Sequence, residues 1–301
     1  MADVRDASAS VPAVRWSVIV PARDVRAHLP AFLAGLRALR VPSGGVEVLV
    51  VDNGSTDGSA ERLAAEPGIS LLHEATVGAY AARNAGVRAA RGALLAFTDP
   101  DCVVAPDWLE QYEQAFRDPR VVLACGPRHP ARWTRGTKVL ADYETAKDAA
   151  VLGGDDASRY YGFTNNLALR REVLEGPEPF VPVPRGADAI LVRRVVDRFG
   201  TSAVAFASRA VVLHAEFTGV LAYYRKVLTY ARTRRAMSQV AGAYRTRALS
   251  LRERAGILRD CAGSGRLGPL DLVVLVLLLA VGLAVWEVGA RVPWPARPRT
   301  V

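Results

Sequence analysis

Asp99 and Asp101 form the sharpest chemical signal in the sequence, because two carboxylates one residue apart directly follow a short apolar run, residues 93–97. At the end of a strand, both side chains would project oxygen atoms into one small volume. Hard divalent cations such as Mg2+ and Mn2+ bind such oxygens and keep open positions for phosphate groups. By itself an Asp-x-Asp pair is a weak signal, since many such pairs are solvated turn residues.

A second polar cluster strengthens this interpretation. Asp52 and Asn53 follow another apolar run, residues 46–51, in the same way. The carboxyl ends of parallel strands meet at one edge of a sheet, and ligands of open α/β folds bind beyond that edge. We therefore expect both clusters at a single edge, beside a cation and a phosphate-bearing ligand.

Strands alternate with helices over the first ~125 residues, a pattern typical of a parallel α/β sheet. The strands are short β-branched runs, and the helices repeat apolar residues at helical spacing. The predicted strands are 16–20, 46–51, 69–72 and 93–97, and the predicted helices between them are 29–39, 58–66 and 78–90. Later helices are expected over 134–150, 186–199, 220–237 and 249–261, with a strand over 162–169 and strands on either side of Ser208.

The net charge of +9 belongs to one part of the chain. Residues 225–266 carry 11 basic and 2 acidic side chains, whereas residues 1–224 carry 25 basic and 26 acidic ones. Nucleic-acid binding is disfavoured, because the main domain is nearly neutral and the basic segment has no recognisable binding motif. Arginines mixed with apolar residues at helical spacing favour anionic lipid headgroups instead. For part of the segment, the alternative is a merely solvated charged face.

An apolar run without charge, residues 272–286, follows the basic segment. Extended to 270–290, it has about the length of a membrane span. The positive-inside rule then places the main domain on the cytoplasmic face of the cell membrane. The alternative is a helix buried in a soluble domain. The rest of the composition, with 50% hydrophobic residues and three unclustered cysteines, excludes disordered, collagenous and disulfide-built classes.

Four segments closely resemble the family 2 glycosyltransferases: residues 18–23 (VIVPAR), 50–57 (VVDNGSTD), 82–86 (ARNAG) and 97–101 (FTDPD). They occur in the family's order and spacing and cover about residues 16–215. The resemblance implies a GT-A fold, a Rossmann-like α/β domain that uses a nucleotide-diphosphate sugar and a divalent metal, Mn2+ or Mg2+. It also implies transfer with inversion of the anomeric carbon to a hydroxyl acceptor. The sugar and the acceptor stay open.

The resemblance assigns donor binding to residues on several loops, and it assigns the metal to Asp101. His214 lies where some relatives have a third ligand, although a lone His at a strand end is more often a satisfied core residue. For Arg83 and Asn84, the alternative to donor binding is a helix-cap network and a surface charge, and the two interpretations are equally good. The donor-binding residues implied are Pro21, Ala22, Arg23, Asp52, Asn53, Arg83, Asn84 and Asp99.

The catalytic base implied by the family pattern is Asp188, with Arg194 at the later basic position. Ala187 and Ile190 stand where the family usually has acids, so one carboxylate remains instead of several. The alternative is that Asp188 only caps its helix. Asn165 and Asn166 match the stretch before the acceptor site, or they serve only a turn.

The predicted organisation has five parts. They are a flexible N-terminus (1–14), a GT-A domain (15–217), a basic amphipathic helical segment (218–266), a transmembrane or membrane-embedded helix (267–292) and a short tail (293–301). The leading function is a metal-dependent inverting glycosyltransferase whose acceptor is a lipid-linked or envelope precursor. One alternative is a catalytically inactive relative that serves as a binding subunit. A nucleotidyltransferase is disfavoured, because the loop at residues 21–24 lacks the glycines of a phosphate-binding loop.

Overall fold

The computed structural model describes residues 14–183, 185–241 and 246–292, with the backbone alone for 233–241. The strands are β1 (Trp16–Ala22), β2 (Val46–Asp52), β3 (Ile69–His73), β4 (Leu94–Thr98), β5 (Cys102–Val104), β6 (Leu123–Cys125), β7 (Arg128–Pro130), β8 (Asn166–Arg170), β9 (Val204–Phe206) and β10 (Val212–His214). The helices are α1 (Leu29–Arg37), α2 (Ser59–Ala64), α3 (Ala79–Ala89), α4 (Trp108–Ala115), α5 (Arg135–Leu152), α6 (Ala187–Phe199), α7 (Val220–Ala241), α8 (Leu251–Gly263) and α9 (Pro269–Arg291).

The main sheet has seven strands in the order β3-β2-β1-β4-β8-β6-β9. Strands β1 to β4 are parallel to one another, and β8 runs antiparallel to both of its neighbours, β4 and β6. Every residue of β1 is buried. A parallel strand covered on both faces needs such a continuous apolar sequence, which explains why this run was readable as a strand.

Alternate side chains of the strands fill two cores, one on each face of the main sheet. Ile19, Phe97 and Leu167 pack with α3 and α6 on one face. Val18 and Ala96 pack with α1 and α4 on the other. The prediction of an α/β fold with a mostly parallel sheet flanked by helices is confirmed.

A small second sheet, in the order β5-β10-β7, lies beyond the main one. Each of its strands has three residues, too few to show a hydrophobic period. The sequence predicted only β10 of the three. Strand β8 also begins later than predicted, at Asn166, because residues 162–165 form a buried loop that ends in a turn.

The C-terminal helices form a third packed unit with α5. Val139 and Tyr143 of α5 contact Ile257 of α8 and Leu275 of α9 in one apolar cluster. Helix α7 packs along α9, where the Tyr224 hydroxyl donates to the Leu278 carbonyl at 2.8 Å. The prediction of helices after His214, ending in an apolar helix, is confirmed.

By length and composition, α9 is able to cross a membrane. It has 23 residues and a mean hydropathy of 2.6 over its most apolar stretch, of which only 11% is buried inside the protein. Its exposed apolar side chains include Val273, Leu277, Val281 and Val288. The predicted boundaries of the five parts stay predictions, and residues 1–13 and 293–301 of the two predicted termini lie outside the described residues.

Candidate active site

The carboxyl ends of β1, β2 and β4 form one edge of the main sheet. Ala22 lies opposite Asp52 in the β1–β2 register, and the Asn53 N–H donates to the Ala22 carbonyl at 2.8 Å. Asp99 follows β4 directly. The prediction that the two acidic clusters share one edge is therefore confirmed. Pro21 and Ala22 are the last two residues of β1 and are buried, whereas Arg23 in the loop after β1 is exposed.

Asp101 and His214 meet because β5 pairs with β10, which places His214 opposite Cys102. His214 Nδ1 lies 3.6 Å from Asp101 Oδ2, and the Asp101, Cys102 and His214 ligand atoms all lie within 4.8 Å of one another. The position of His214 is compatible with both interpretations. The side chain is buried, as a core residue is, and it faces a carboxylate, as a metal ligand would.

The electrostatics of this cluster fit a divalent cation. Burial, with Asp99 and Glu216 nearby, raises the pKa of Asp101 to about 6, and Cys102 and Lys226 offset only part of this rise. Burial, with Lys226 nearby, lowers the pKa of His214 to about 3, which leaves the imidazole neutral as a ligand must be. A carboxylate and a neutral imidazole suit Mn2+, whereas burial raises the pKa of the Cys102 thiol and keeps it protonated.

Helix α3 connects the two acidic groups on either side of the site. Arg83 pairs with Asp99, and it is buried, which excludes the interpretation as a surface charge. One turn earlier, the Tyr80 hydroxyl donates to Asp188 Oδ1 at 3.2 Å. Residues three apart share a helix face, so one face of α3 positions both Asp99 and Asp188.

Asp188 lies in the first turn of α6 and is half-buried. Its oxygens accept from Tyr80 and from the backbone N–H groups of Ala189 and Thr164, at 2.9 and 3.4 Å. Burial raises the pKa of its carboxyl above the ordinary value. Since Gly186 is the N-cap, Asp188 is not the capping residue, and its Ala189 contact is the part of the capping alternative that remains.

Three of the predicted asparagines make internal hydrogen bonds through both their amide nitrogen and their amide oxygen. Asn53 holds the loop before α3 through the Glu74 and Thr76 carbonyls and the Gly78 N–H. Asn84 exchanges two bonds with the Phe180 backbone.

Asn166, which is fully buried, accepts from Trp108 and Tyr112 and donates to two carbonyls. A saturated, buried amide has no group left for a ligand. We therefore keep Asn166 out of the acceptor site. Asn165 differs, because its buried Oδ1 has no hydrogen-bond partner among the residues that the structure describes.

Asp52 is almost fully buried, accepts hydrogen bonds from the Gly54 and Ser55 N–H groups and has His73 Nδ1 at 3.6 Å from Oδ2.

Arg194 lines a depression on α6 with Val173 and Glu175. Six helical positions separate it from Asp188, about 9 Å along the axis and about 240° around it. The structure does not bring Arg194 beside Asp188.

Sequence reasoning missed the contribution of α7 to this site. Lys226 Nζ lies 3.0 Å from His214 Nε2, and Tyr230, one turn later, is close enough to Asp188 and Asp99 for their charges to influence its pKa. The Arg185 guanidinium lies 5.7 Å from the centre of the Tyr230 ring. The four-residue spacing of Lys226 and Tyr230, which places them on one face of the helix, was the available signal. The many arginines around them led instead to the prediction of lipid-headgroup binding.

Comparison with known proteins gives a consistent picture. A protein-family model described as "Glycosyl transferase family 2" matches residues 17–188. Glycosyltransferase AglE of Haloferax volcanii is 30% identical over 203 residues, 60% of this chain and 61% of AglE. The putative glycosyltransferase EpsH of Bacillus subtilis is 26% identical over 209 residues, 66% of this chain and 58% of EpsH. The chain thus spans about three fifths of the length of these curated relatives.

Among solved structures, the mannosyltransferase PcManGT from Pyrobaculum calidifontis, in complex with GDP-Man and Mn2+, has a TM-score of 0.56 at 20% identity. The match covers 92% of this chain and 83% of that one. At this identity the likeness concerns the fold alone.

Proposed function

The chain belongs to glycosyltransferase family 2, and we propose that it transfers a sugar from a nucleotide-diphosphate sugar to a hydroxyl acceptor, with a bound divalent cation and inversion of the anomeric carbon. The observation that carries the proposal is the convergence of Asp101 with His214 at the sheet edge that also holds Asp99. Membership of the family supports the proposed glycosyltransferase activity. The metal, the stereochemistry and the acceptor are the proposed parts.

The donor would lie along the edge formed by the β1 and β2 loops. Residues 21–23 and Asp52 are the candidates for the base and ribose, and Asp99, oriented by Arg83, for the ribose or sugar. A divalent cation held by Asp101 and His214 would neutralise charge on the diphosphate without moving a proton. The complex of PcManGT with GDP-Man and Mn2+ supports this combination of donor and metal.

Asp188 is the proposed base. Its carboxylate would take the proton of the acceptor hydroxyl while that oxygen bonds to the anomeric carbon. The bond from that carbon to the diphosphate oxygen breaks, and its electron pair leaves with the nucleoside diphosphate. Tyr80 orients the carboxylate, and burial brings the pKa of Asp188 closer to neutral, which suits general-base catalysis.

The departures from the family pattern beside Asp188 have a packing explanation. Ala187 is fully buried in the core against the sheet, and Ile190 is also buried. Both support α6 from behind, so their apolar character serves the fold and leaves Asp188 in place. This favours an active enzyme over an inactive relative.

We also propose that the enzyme is bound to the cytoplasmic face of the cell membrane through α9 and headgroup contacts of the basic segment. An acceptor that is lipid-linked then shares the surface. The support is the length, apolar sequence and exposure of α9, with basic side chains preceding it.

Nucleoside diphosphate release tests the catalytic proposal. Full-length protein with Mn2+ and a panel of UDP-, GDP- and TDP-sugars is expected to release free nucleoside diphosphate from at least one donor. EDTA should abolish the release. A panel without turnover, in protein that also binds no nucleoside diphosphate, would favour the inactive relative.

Liposome flotation tests the membrane proposal. The double variant Leu277→Gln/Val281→Gln changes two exposed side chains of α9 and should shift the full chain from anionic vesicles toward the soluble fraction. Val41→Gln, at an exposed position in the loop before β2, is the matched control and should float like the parent. Equal flotation of all three proteins would contradict anchoring by α9.

A further inference from the structure

Lys226 differs from the basic side chains around it in the direction it faces. It belongs to the segment that the sequence assigned to lipid headgroups, yet it is turned inward, with Nζ 3.0 Å from His214 Nε2. Its neighbour Arg225 is exposed. Lys226 is partly buried, and its ammonium is directed toward the cluster of Asp101 and His214 and away from the exposed side of α7.

The surroundings of Lys226 leave part of its hydrogen-bonding capacity unused. Burial lowers the pKa of Lys226, and the side chains of Asp101, Cys102 and Glu216 are near enough to offset part of this lowering. Within the described residues, however, no carboxylate oxygen lies within 4.0 Å of Nζ. An ammonium has three donors, and a buried charge normally has a close partner. Within the described part of the chain, the close polar contact of Nζ is to the His214 imidazole, which also faces Asp101.

We propose that Lys226 contacts the terminal phosphate of the nucleoside diphosphate and stabilises the charge on this leaving group. The inference rests on the proposed function, because it uses the same site and the same donor. The leaving group carries more negative charge than one divalent cation neutralises, and Asp99 adds to it. A compact ammonium beside His214 adds a point charge that is supplied by α7 and does not depend on the cation.

Binding experiments on the full-length protein separate direct contact from an effect through the metal ligands. The variants are Lys226→Met, which removes the charge, and Arg225→Met, the matched control on the exposed side of α7. UDP, GDP, UMP and GMP are the probes, each titrated with Mn2+ and with EDTA. A lost charged hydrogen bond predicts diphosphate affinity about 10- to 100-fold weaker in Lys226→Met, in Mn2+ and in EDTA alike. Monophosphate affinity and Arg225→Met should change less than about threefold.

Each result has a defined meaning. Unchanged diphosphate affinity in Lys226→Met overturns the proposal. A defect present with Mn2+ and absent in EDTA also overturns it, since Lys226 would then act only as a positioning residue for His214 and Asp101. Where Lys226→Met does not give a cooperative unfolding transition, Lys226→Gln replaces it, and Lys226→Arg should recover most of the affinity. Parent protein that binds no nucleoside diphosphate contradicts the proposed function itself.

Discussion

The candidate site has two walls of different construction. The sheet wall consists of Arg83, Asp99, Asp101 and His214, held at strand ends and by α3. The helix wall consists of Lys226 and Tyr230 on α7, whose opposite face packs on the apolar helix α9. Polar groups of the sheet wall pair with one another. Those of the helix wall face across to the sheet wall and are supported from behind by apolar contacts.

The contrast between the two walls shows which site residues can be predicted from the sequence. The residues of the sheet wall occur in short sequence motifs, because the end of a strand fixes the position of the next few residues. The helix wall depends on how a 22-residue helix is docked between the site and α9, which no local pattern records. Changes in the two walls should therefore have distinct signatures.

Asp101→Asn is expected to have the largest effect, because it removes a charged oxygen ligand while keeping the shape of the side chain. Loss of metal stabilisation of the leaving group predicts a fall in kcat/KM of about a thousandfold. Nucleoside diphosphate release measures it. Asp118→Asn, whose carboxylate pairs only with exposed Arg120 within the described residues, is the control and should keep parental turnover. Residual activity above a tenth of parental would contradict the assignment.

Asp188→Asn should lower kcat by at least about a hundredfold, the contribution typical of a general base. Donor binding should not change, since the base acts on the acceptor. Steady-state kinetics with a responsive acceptor, together with nucleoside diphosphate titration, separates the two. A variant with impaired donor binding and normal kcat would move Asp188 to the donor side.

Gly289→Ala tests the support behind the helix wall. A Cβ at Gly289 would lie 2.8 Å from Ala231 Cβ and 2.9 Å from Leu228 Cδ1, so α9 must separate from α7. Overpacking of this kind predicts about 1–3 kcal/mol lower unfolding free energy, measured by denaturant unfolding in detergent. At Gly282 the nearest atom is 3.6 Å away, on Tyr224, so Gly282→Ala should be neutral or slightly stabilising. Equal effects of both changes would contradict the close packing.

Tyr80→Phe is expected to have the smallest effect, a shift of the pH–rate profile. The hydroxyl donates to the Asp188 carboxylate and stabilises its ionised form, so its removal raises the pKa of Asp188. The base must be ionised to act, and the acidic limb of kcat should move up by about half a pH unit. A shift toward lower pH would show that Tyr80 does not stabilise the ionised carboxylate.

Strand ends explain how much was predictable. Asp52 and Asp99 were expected at one edge, and they are there because β1, β2 and β4 are adjacent and parallel. Asn166 illustrates a limit, because an amide that serves the core has the same sequence signature as one that binds a sugar. Lys226 illustrates another limit, since its partner His214 is twelve residues away across a turn. The basic residues around Lys226 led to the prediction of lipid-headgroup binding for the whole segment.

The hydrogen bond from Tyr224 to the Leu278 carbonyl lies two residues from Lys226 along α7. A helix embedded in lipid adjusts its tilt when the hydrocarbon thickness changes. Because α7 is fastened to α9 at this point, such a tilt would be transmitted to the separation between Lys226 and His214. For a protein anchored through α9 as proposed, the acyl-chain length of the surrounding lipid would then affect the geometry of the active site.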